Sequence, residues 1–259
     1  MKLLVDIGNS RVKWATLDGR VLGAQQAASY SGWTQDDWRR SLFSVPGIDD
    51  VIVASVSEAP SAALDSAAAL AIGRRATFVA TSEQAAGVRN AYGEPRLRGV
   101  DRWLAVIAGH SATRGDCCVA DVGTATTFDA VTASGEHLGG FIIPGPGLMV
   151  HSLHGGTADL AGRSEASGSS GGAPLADNTR DAIERGCRLA VAALIDRGVA
   201  DVEARLGTQA GLLLTGGAAA AVMPLLRSRA TLVPDLVLRG LAVLAVAKPA
   251  NYGGKPQSE

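Results

Sequence analysis

Two matching stretches decide the fold of this chain. The first is Leu3-Leu4-Val5-Asp6-Ile7-Gly8-Asn9-Ser10, and the second is Cys118-Val119-Ala120-Asp121-Val122-Gly123-Thr124-Ala125. Each reads as an apolar strand that ends in Asp, a branched residue, Gly and a small polar residue. The two Asp residues lie 115 positions apart, about the length of one domain. The sequence therefore predicts two copies of one βββαβα unit, in domains 1–114 and 115–259, with a cleft between them.

The rest of the chain alternates strand-like and helix-like segments, which predicts an α/β architecture with mixed sheets flanked by helices. In the first copy, strands are predicted at 2–7, 11–17, 21–29, 51–55 and 77–81, and helices at 33–43, 60–72 and 101–114. In the second copy, strands are predicted at 117–122, 126–132, 137–143, 212–214 and around 232. Helices are predicted there at 148–160, at 179–206, after Gly217 and at 234–247.

Composition excludes several classes of protein. Of 259 residues, 47% are hydrophobic and the formal net charge is −1, so the chain can bury a large core and has no general charge for nucleic acid or anionic lipid. The longest late apolar tract, 236–247, is too short to span a bilayer. Asp6 interrupts the apolar start, and the three cysteines show no disulfide or metal-ligand spacing. We expect a soluble, cytoplasmic protein with no nucleic-acid or membrane partner.

A strand that ends in Asp-x-Gly and turns into a hairpin is suited to holding phosphates. Glycine lets the backbone approach closely, successive N–H groups cradle anionic oxygens, and the carboxylate holds a cation. One such turn is weak evidence because Asp-x-Gly is common in ordinary hairpins, but two copies at domain spacing are much stronger. Leu212 to Ala219 is a third candidate loop, a strand that runs into Gly216-Gly217 and a helix; a plain strand-to-helix connection explains it equally well.

These motifs resemble the two-lobed ATPases of the actin/sugar-kinase/Hsp70 group, which clamp ATP between two such loops. Within that group the chain resembles type III pantothenate kinases. The matching segments are Tyr92, Gly99-Val100-Asp101-Arg102, Asp121 to Thr127, Gly139 to Gly145, Met149 to Ala158 and Thr179 to Gly186. The resemblance implies two duplicated ribonuclease H-like (actin-like ATPase) domains and departs from the family's pattern at Ala161 and in the Gly/Ser-rich stretch 162–173, which we expect to be a mobile surface loop.

The resemblance also implies roles for particular residues, with ATP and Mg²⁺, pantothenate as substrate, and a homodimer. Asp101 is the implied catalytic base, and Asp121 the implied site of a monovalent cation, K⁺ or NH₄⁺. The implied ATP-binding residues are Asp6, Ile7, Gly8, Asn9, Ser10, Arg11, Val12, Lys13 and Thr124. The implied pantothenate-binding residues are Tyr92, Gly99, Val100, Asp101, Arg102 and Thr179.

Simpler interpretations of three of these residues stay open at this point. Asp101 and Thr179 each begin a predicted helix and could serve as N-caps, with Asn178 as the alternative cap for the second helix. Lys13 lies on a strand whose alternation could equally turn it to solvent.

The activity as a whole also has two alternatives. Another two-lobed kinase of small molecules is one, and a non-catalytic regulator derived from this fold is the other. The Gly99 to Arg102 segment argues against the first, and the retained Asp residues and glycine loops argue against the second.

Overall fold

The computed structural model describes residues 1–97, 99–156 and 175–247. The chain divides into two compact units. Unit 1 contains Met1–Arg114, Val131–Gly139 and the described residues from Asp235 onward, and unit 2 contains the described parts of Gly115–Ala130 and Gly140–Pro234. These units differ from the domains 1–114 and 115–259 predicted from the sequence, and those domain boundaries stay a prediction.

Unit 1 is built on a mixed sheet with the strand order β3-β2-β1-β5-β6, in which β4 also pairs with β2. β1 pairs antiparallel with β2 and parallel with β5. The strands are β1 (Lys2–Ile7), β2 (Arg11–Asp18), β3 (Val21–Leu22), β4 (Gln26–Ser29), β5 (Asp50–Ser55) and β6 (Thr77–Phe78). A separate hairpin joins β7 (Gln84–Ala85) to β8 (Val88–Arg89), and the helices that come next to these strands in the chain are α1 (Gln35–Leu42), α2 (Glu58–Ile72) and α3 (Val100–Ala112).

Unit 2 repeats the same order of strands, as β11-β10-β9-β12-β13. Its central strand β9 pairs parallel with β12, which pairs parallel with β13. The strands of this sheet are β9 (Cys117–Val122), β10 (Ala125–Val131), β11 (His137–Pro144), β12 (Gly211–Thr215) and β13 (Ala230–Leu232), and the helices are α4 (Pro146–Gly156), α5 (Thr179–Leu206) and α6 (Ala219–Val222). The last residue of β10 and the first three of β11 fall in the Val131–Gly139 segment of unit 1. α7 (Leu236–Val246) follows and belongs to unit 1. The two sheets confirm the predicted α/β fold and its duplication.

The core of unit 1 forms between the central strands and α1 and α2. Leu3, Val5 and Ile7 of β1 are fully buried and pack with Trp38 of α1 and Leu64 of α2. Leu4, on the opposite face of β1, is fully buried as well, and the register of β1 with β2 pairs Ile7 with Val12. That register sets where β1 ends and where the hairpin after it begins.

Helix α3 is buried along most of its length and packs against α7. At Gly240 of α7, a Cβ atom would lie 2.2 Å from the backbone oxygen of Leu104, so only glycine permits this approach of the two helices. The first turn of α3 carries Asp101 and Arg102, which the packing therefore holds on a rigid element.

The structure corrects two predicted elements and adds one that was not predicted. The single strand at 21–29 is wrong: the chain breaks at Gly23, whose N–H donates to the oxygen of Thr16 at 2.8 Å. The strand predicted at 77–81 ends at Phe78, and the β7–β8 hairpin was not predicted. Its turn has positive φ at both Ala86 and Gly87, and alanine at the first of these gave no sequence signal.

Some predicted features lie outside the described residues. They are the end of the helix at 148–160, Ala161 and the Gly/Ser-rich stretch 162–173. In the part of the chain that is described, no helix is long and apolar enough to cross a membrane.

Candidate functional site

The hairpin between β1 and β2 carries the first predicted phosphate loop, Gly8 to Ser10. The N–H of Gly8 donates to the oxygen of Arg11 at 3.0 Å and closes the turn. Asn9, Ser10 and Arg11 are exposed, whereas Ile7 and Val12 are fully buried. The predicted ATP-binding residues at the tip of the loop are therefore accessible and polar. Ile7 and Val12, on either side, anchor the tip to the core.

Asp6 and Lys13 face each other at the base of this hairpin. They are directly paired in the β1–β2 register, and Lys13 Nζ lies 3.9 Å from Asp6 Oδ2. Asp6 is only 7% exposed, and Lys13 is half-buried. The structure therefore settles the side-chain question for Lys13, which lies beside the carboxylate rather than in open solvent.

Tyr30 supports the same loop, and sequence reasoning missed it. Its hydroxyl lies 2.7 Å from the oxygen of Gly8 and 2.8 Å from the oxygen of Asn9, and donates to these carbonyl groups. Nothing in the local sequence marks a tyrosine twenty residues after the loop as a partner of its backbone, because the pairing of β2 with β4 creates this proximity.

The second loop, Gly123 and Thr124, connects β9 to β10 in unit 2. The N–H of Gly123 donates to the oxygen of Ala125 at 3.0 Å, and the oxygen of Thr124 accepts from the N–H of Gly145 at 2.8 Å. A Cβ atom on Gly145 would lie 2.0 Å from the oxygen of Gly123. Two backbone segments therefore touch here, which explains the glycine at 145. Thr124 is exposed, and its contact with ATP stays a prediction.

The third candidate loop is bound to the second one. The N–H of Ala218 donates to the oxygen of Val122 at 2.9 Å. Gly216 has φ +99, and a Cβ atom there would lie 2.4 Å from Asp121 Oδ1. The connection between β12 and α6 is thus part of the structure around the Asp121 carboxylate, and its predicted contact with adenosine stays a prediction.

Gly99, Val100 and Asp101 form the start of α3. The helix begins at Val100 with Gly99 as its N-cap, so the interpretation of Asp101 as the N-cap is wrong. Asp101 Oδ1 accepts from the N–H of Arg102 at 2.8 Å. A Cβ atom on Gly99 would come within 2.5 Å of Asp101 Oδ1, so glycine leaves room for this carboxylate.

Arg102 and Tyr92 are brought together in unit 1. Arg102 is 5% exposed, and its Nη1 donates to the hydroxyl of Tyr92 at 2.8 Å. The backbone at Tyr92 is held by Asn90, whose Oδ1 accepts the N–H of Tyr92 at 3.1 Å. A buried guanidinium with a fixed partner is pre-organised to meet a polar or anionic group.

His137 is a second residue near Tyr92 that the sequence did not single out. Its Nδ1 accepts from the N–H of Ala91 at 3.3 Å, which requires Nδ1 to be unprotonated. Its ring centroid lies 6.2 Å from that of Tyr92. Asn90, Ala91 and His137 therefore fix the backbone that presents Tyr92.

Thr179 lies in unit 2 at the first position of α5. The N-cap is Asn178, whose side chain accepts from the N–H of Asp181. The alternative in which Asn178 rather than Thr179 caps this helix is therefore correct, and the substrate-binding role of Thr179 stays a prediction.

Burial argues against a nucleophilic or metal-binding role for the cysteines. Cys117, Cys118 and Cys187 are buried free thiols, and burial raises the pKa of Cys118 to about 12. A protonated thiol is a poor nucleophile and a poor metal ligand. Among the described residues, no group of three or more His, Cys, Asp or Glu could hold a metal ion.

The repeated strand order, with an Asp-x-Gly hairpin after each first strand, defines a two-lobed actin-like ATPase fold. A structural comparison agrees with this class: the activator of the 2-hydroxyisocaproyl-CoA dehydratase from Clostridium difficile, with bound ADPNP, superposes with a TM-score of 0.54. The match covers 100% of this chain and 99% of the other, at 13% sequence identity. A likeness at that identity shows the fold alone.

Sequence comparison gives the particular family. The model of the type III pantothenate kinase family matches residues 2–201. A type III pantothenate kinase from Aromatoleum aromaticum is 38% identical over 245 residues, covering 95% of this chain and 98% of the relative. One from Stenotrophomonas maltophilia is 40% identical over 253 residues, covering 96% and 98%. This chain belongs to the type III pantothenate kinase family.

Proposed function

We propose that this chain transfers the γ-phosphoryl group of ATP to pantothenate, making 4′-phosphopantothenate in the first step of coenzyme A biosynthesis. Membership of the family supports the reaction. The observation that carries the proposal in the structure is the start of α3, where Gly99 is the N-cap and the half-buried Asp101 lies in the first turn beside the buried Arg102.

Asp101 is the proposed general base. Phosphoryl transfer depends mainly on positioning and charge neutralisation, and a carboxylate accepts the proton of the attacking hydroxyl. Asp101 takes the proton of the primary alcohol of pantothenate as the alcohol oxygen bonds to the γ-phosphorus, and the bond to the leaving ADP breaks. The rigid packing of α3 holds the carboxylate in one place during this step.

Pantothenate binding falls to the residues around Arg102. The substrate offers a carboxylate, which a planar guanidinium binds through paired donors. Arg102 and Tyr92 already share a hydrogen bond, so both are oriented before the substrate arrives. Gly99, Val100 and Thr179 complete the proposed set.

The two Asp-x-Gly loops are the proposed phosphate sites. Residues 6–13 and Thr124 are the proposed ATP contacts, with Lys13 beside Asp6 as a positive charge near the first loop. Carboxylate and backbone oxygens around Asp6 and Asp121 suit hard cations. Magnesium bound with ATP would supply charge neutralisation there. We further propose that Asp121 binds a monovalent cation, K⁺ or NH₄⁺.

Two finer features also stand as proposals. The enzyme would act as a homodimer, as the family resemblance implies. It would reside in the cytoplasm, which suits three buried cysteines that remain free thiols.

The test compares Asp101→Asn with the wild type for ADP release with MgATP and pantothenate. Loss of a general base predicts a fall in kcat of about 10²–10⁴ with ATP binding retained. Asp18→Asn, at an exposed carboxylate in the same unit, is the matched control and is expected to leave kcat unchanged. Equal rates for Asp101→Asn and the wild type would refute the assigned base.

The same assay run in potassium and in sodium buffer tests the cation. Turnover that rises with potassium in the wild type and no longer rises in Asp121→Asn supports the site. A panel of other small alcohols and acids distinguishes the alternative kinases: turnover with another substrate and none with pantothenate would overturn the substrate. Turnover with nothing on the panel would favour the non-catalytic alternative.

A further inference from the structure

We propose that Tyr30 is a positioning residue for ATP binding, because its hydroxyl orients two successive N–H groups of the first phosphate loop. The inference rests on the proposed role of Gly8 to Ser10 in binding ATP. It adds a residue outside the loop, and outside every motif recognised in the sequence, to the machinery of the reaction.

Tyr30 forms hydrogen bonds with both carbonyl groups at the tip of the first loop. Its hydroxyl donates to the oxygens of Gly8 and Asn9 at 2.7 and 2.8 Å. One hydroxyl hydrogen shared between two acceptors forms a three-centre bond. Both carbonyl groups of the loop tip are thereby directed toward the same side, that of Tyr30.

The planar trans peptide fixes the direction of the N–H groups of Asn9 and Ser10. In such a peptide, the C=O of one residue and the N–H of the next point in opposite directions. Because the oxygen of Gly8 points to Tyr30, the N–H of Asn9 points away from it. The same holds for the oxygen of Asn9 and the N–H of Ser10. Two consecutive N–H groups on exposed residues therefore face away from Tyr30.

Two N–H groups that face the same side favour the binding of an anion. Successive backbone N–H groups that converge on one side form a concavity that binds anions, including phosphate. Carbonyl oxygens on that side would repel the phosphate oxygens. Tyr30 thus turns the repulsive groups away and presents the attractive ones, without touching the nucleotide itself.

Tyr30 is itself held in place by a turn and by two tryptophan rings. Its backbone oxygen accepts the N–H of Trp33 at 3.0 Å in a turn, where Gly32 has φ +77. Its ring lies 5.7 Å from the ring of Trp38, which is 2% exposed. Trp33 meets Trp38 edge to face, with ring centroids 5.0 Å apart. The aromatic cluster Tyr30, Trp33 and Trp38 therefore holds the hydroxyl at a fixed position.

The experiment is titration of the full chain with MgATP and with adenosine by calorimetry, for the wild type and Tyr30→Phe. The variant keeps the ring and removes only the hydroxyl. We expect binding of MgATP to weaken about fivefold to tenfold, as for loss of a hydrogen bond that orients the loop. Adenosine lacks phosphates, so we expect its binding to change by less than about twofold.

Two further variants separate positioning from general stability. Thr113→Val removes another hydroxyl-to-carbonyl hydrogen bond of 2.8 Å in unit 1; it should lower the melting temperature without changing MgATP affinity. Tyr92→Phe removes a phenol that accepts from Arg102; it should raise KM for pantothenate, whereas Tyr30→Phe should raise KM for ATP and leave KM for pantothenate unchanged.

Several outcomes would overturn the proposal. One is Tyr30→Phe with wild-type affinity for MgATP, whatever its melting temperature. Another is equal weakening for MgATP and adenosine, which would indicate general loosening. The titration needs no turnover of pantothenate, so a wild type that binds MgATP but does not phosphorylate pantothenate refutes the substrate and leaves the Tyr30 result readable. A wild type that binds no MgATP refutes both.

Discussion

The two predicted phosphate loops share a sequence motif and a position in equivalent sheets, yet they are supported differently. The first loop, Gly8 to Ser10, is held from one side by the hydroxyl of Tyr30. The second loop, Gly123 and Thr124, is enclosed by backbone, with Gly145 on one segment and Gly216 at the end of another strand. The two units thus share the turn, but a side chain supports it in unit 1 and close backbone contact supports it in unit 2.

The kind of support determines which positions around each loop require glycine. The first loop tolerates small changes, because a Cβ atom on Gly8 would come no closer than 3.5 Å to its nearest neighbour, the oxygen of Arg11. A loop held by contact between two backbones tolerates none, because neither backbone can move without disturbing its strand. Glycine is therefore needed most around the second loop, at positions that lie outside the Asp-x-Gly motif.

The largest expected effect is that of Gly145→Ala. The new Cβ atom would lie 2.0 Å from the oxygen of Gly123, far inside van der Waals contact, between two backbone segments. We expect a loss of about 3–5 kcal/mol in the free energy of unfolding, above the usual cost of overpacking because backbone must move. Chemical denaturation measures it. Gly147→Ala, where nothing lies within 4 Å, is the control and should change stability little; equal effects of the two variants would contradict the comparison.

Gly216→Ala should have the next largest effect. It combines a positive φ of +99 with a Cβ atom 2.4 Å from Asp121 Oδ1, so we expect a cost of about 2–3 kcal/mol. The Asp121 carboxylate must also shift, and the response to potassium should weaken with it. The neighbouring Gly217→Ala has open space and serves as the control in denaturation and in the potassium titration. A Gly216→Ala protein with unchanged stability would show that this enclosure is unimportant.

The glycines inside the motif should matter much less to folding. A Cβ atom would meet its nearest neighbour at 3.5 Å in Gly8→Ala and at 3.4 Å in Gly123→Ala, both ordinary contacts. We expect each variant to keep its free energy of unfolding within about 1 kcal/mol of the wild type. A marked loss of stability in either variant would mean that the motif, rather than its surroundings, sets the requirement for glycine.

The smallest effect concerns the strands that lead into the loops. Cys118 of β9 stands where β1 has Leu3, and burial raises the pKa of Cys118 from 9.0 to about 12. A raised folded-state pKa contributes stability below the unfolded value, and this is lost as pH rises from 9 toward 12. At pH 9.5 the loss relative to pH 7 is about 1 kcal/mol. Cys118→Val should remove this component, so its melting temperature should fall less between pH 7 and 9.5; identical pH dependence in both proteins would refute it.

Much of the fold could be predicted from the sequence because local signals agreed with tertiary structure. Strands β1 and β9 were predicted with their observed bounds, since each is a short apolar run closed by Asp-x-Gly, and α5 was likewise predicted at 179–206. The break at Gly23 was missed because it depends on the close approach of Thr16. A contact that forms only when one strand folds back on another leaves no local pattern in the sequence.

The candidate site divides in the same way. Residues within motifs, such as Asp6 and Asp101, were predicted by type and spacing, and their functional roles stay predictions. Tyr30, Asn90 and His137 were not predicted, because each acts on backbone or on a neighbour that tertiary structure brings close. The cap at Gly99 was also missed, because glycine caps through its backbone and lacks the side-chain oxygen that marks other N-caps.

Product formation by the wild-type protein with MgATP and pantothenate in potassium buffer is the direct test of the proposed kinase reaction. We expect 4′-phosphopantothenate and ADP in equal amounts, identified by mass spectrometry, with formation abolished when pantothenate is omitted. Well-folded protein that binds MgATP but forms no phosphorylated pantothenate would contradict it.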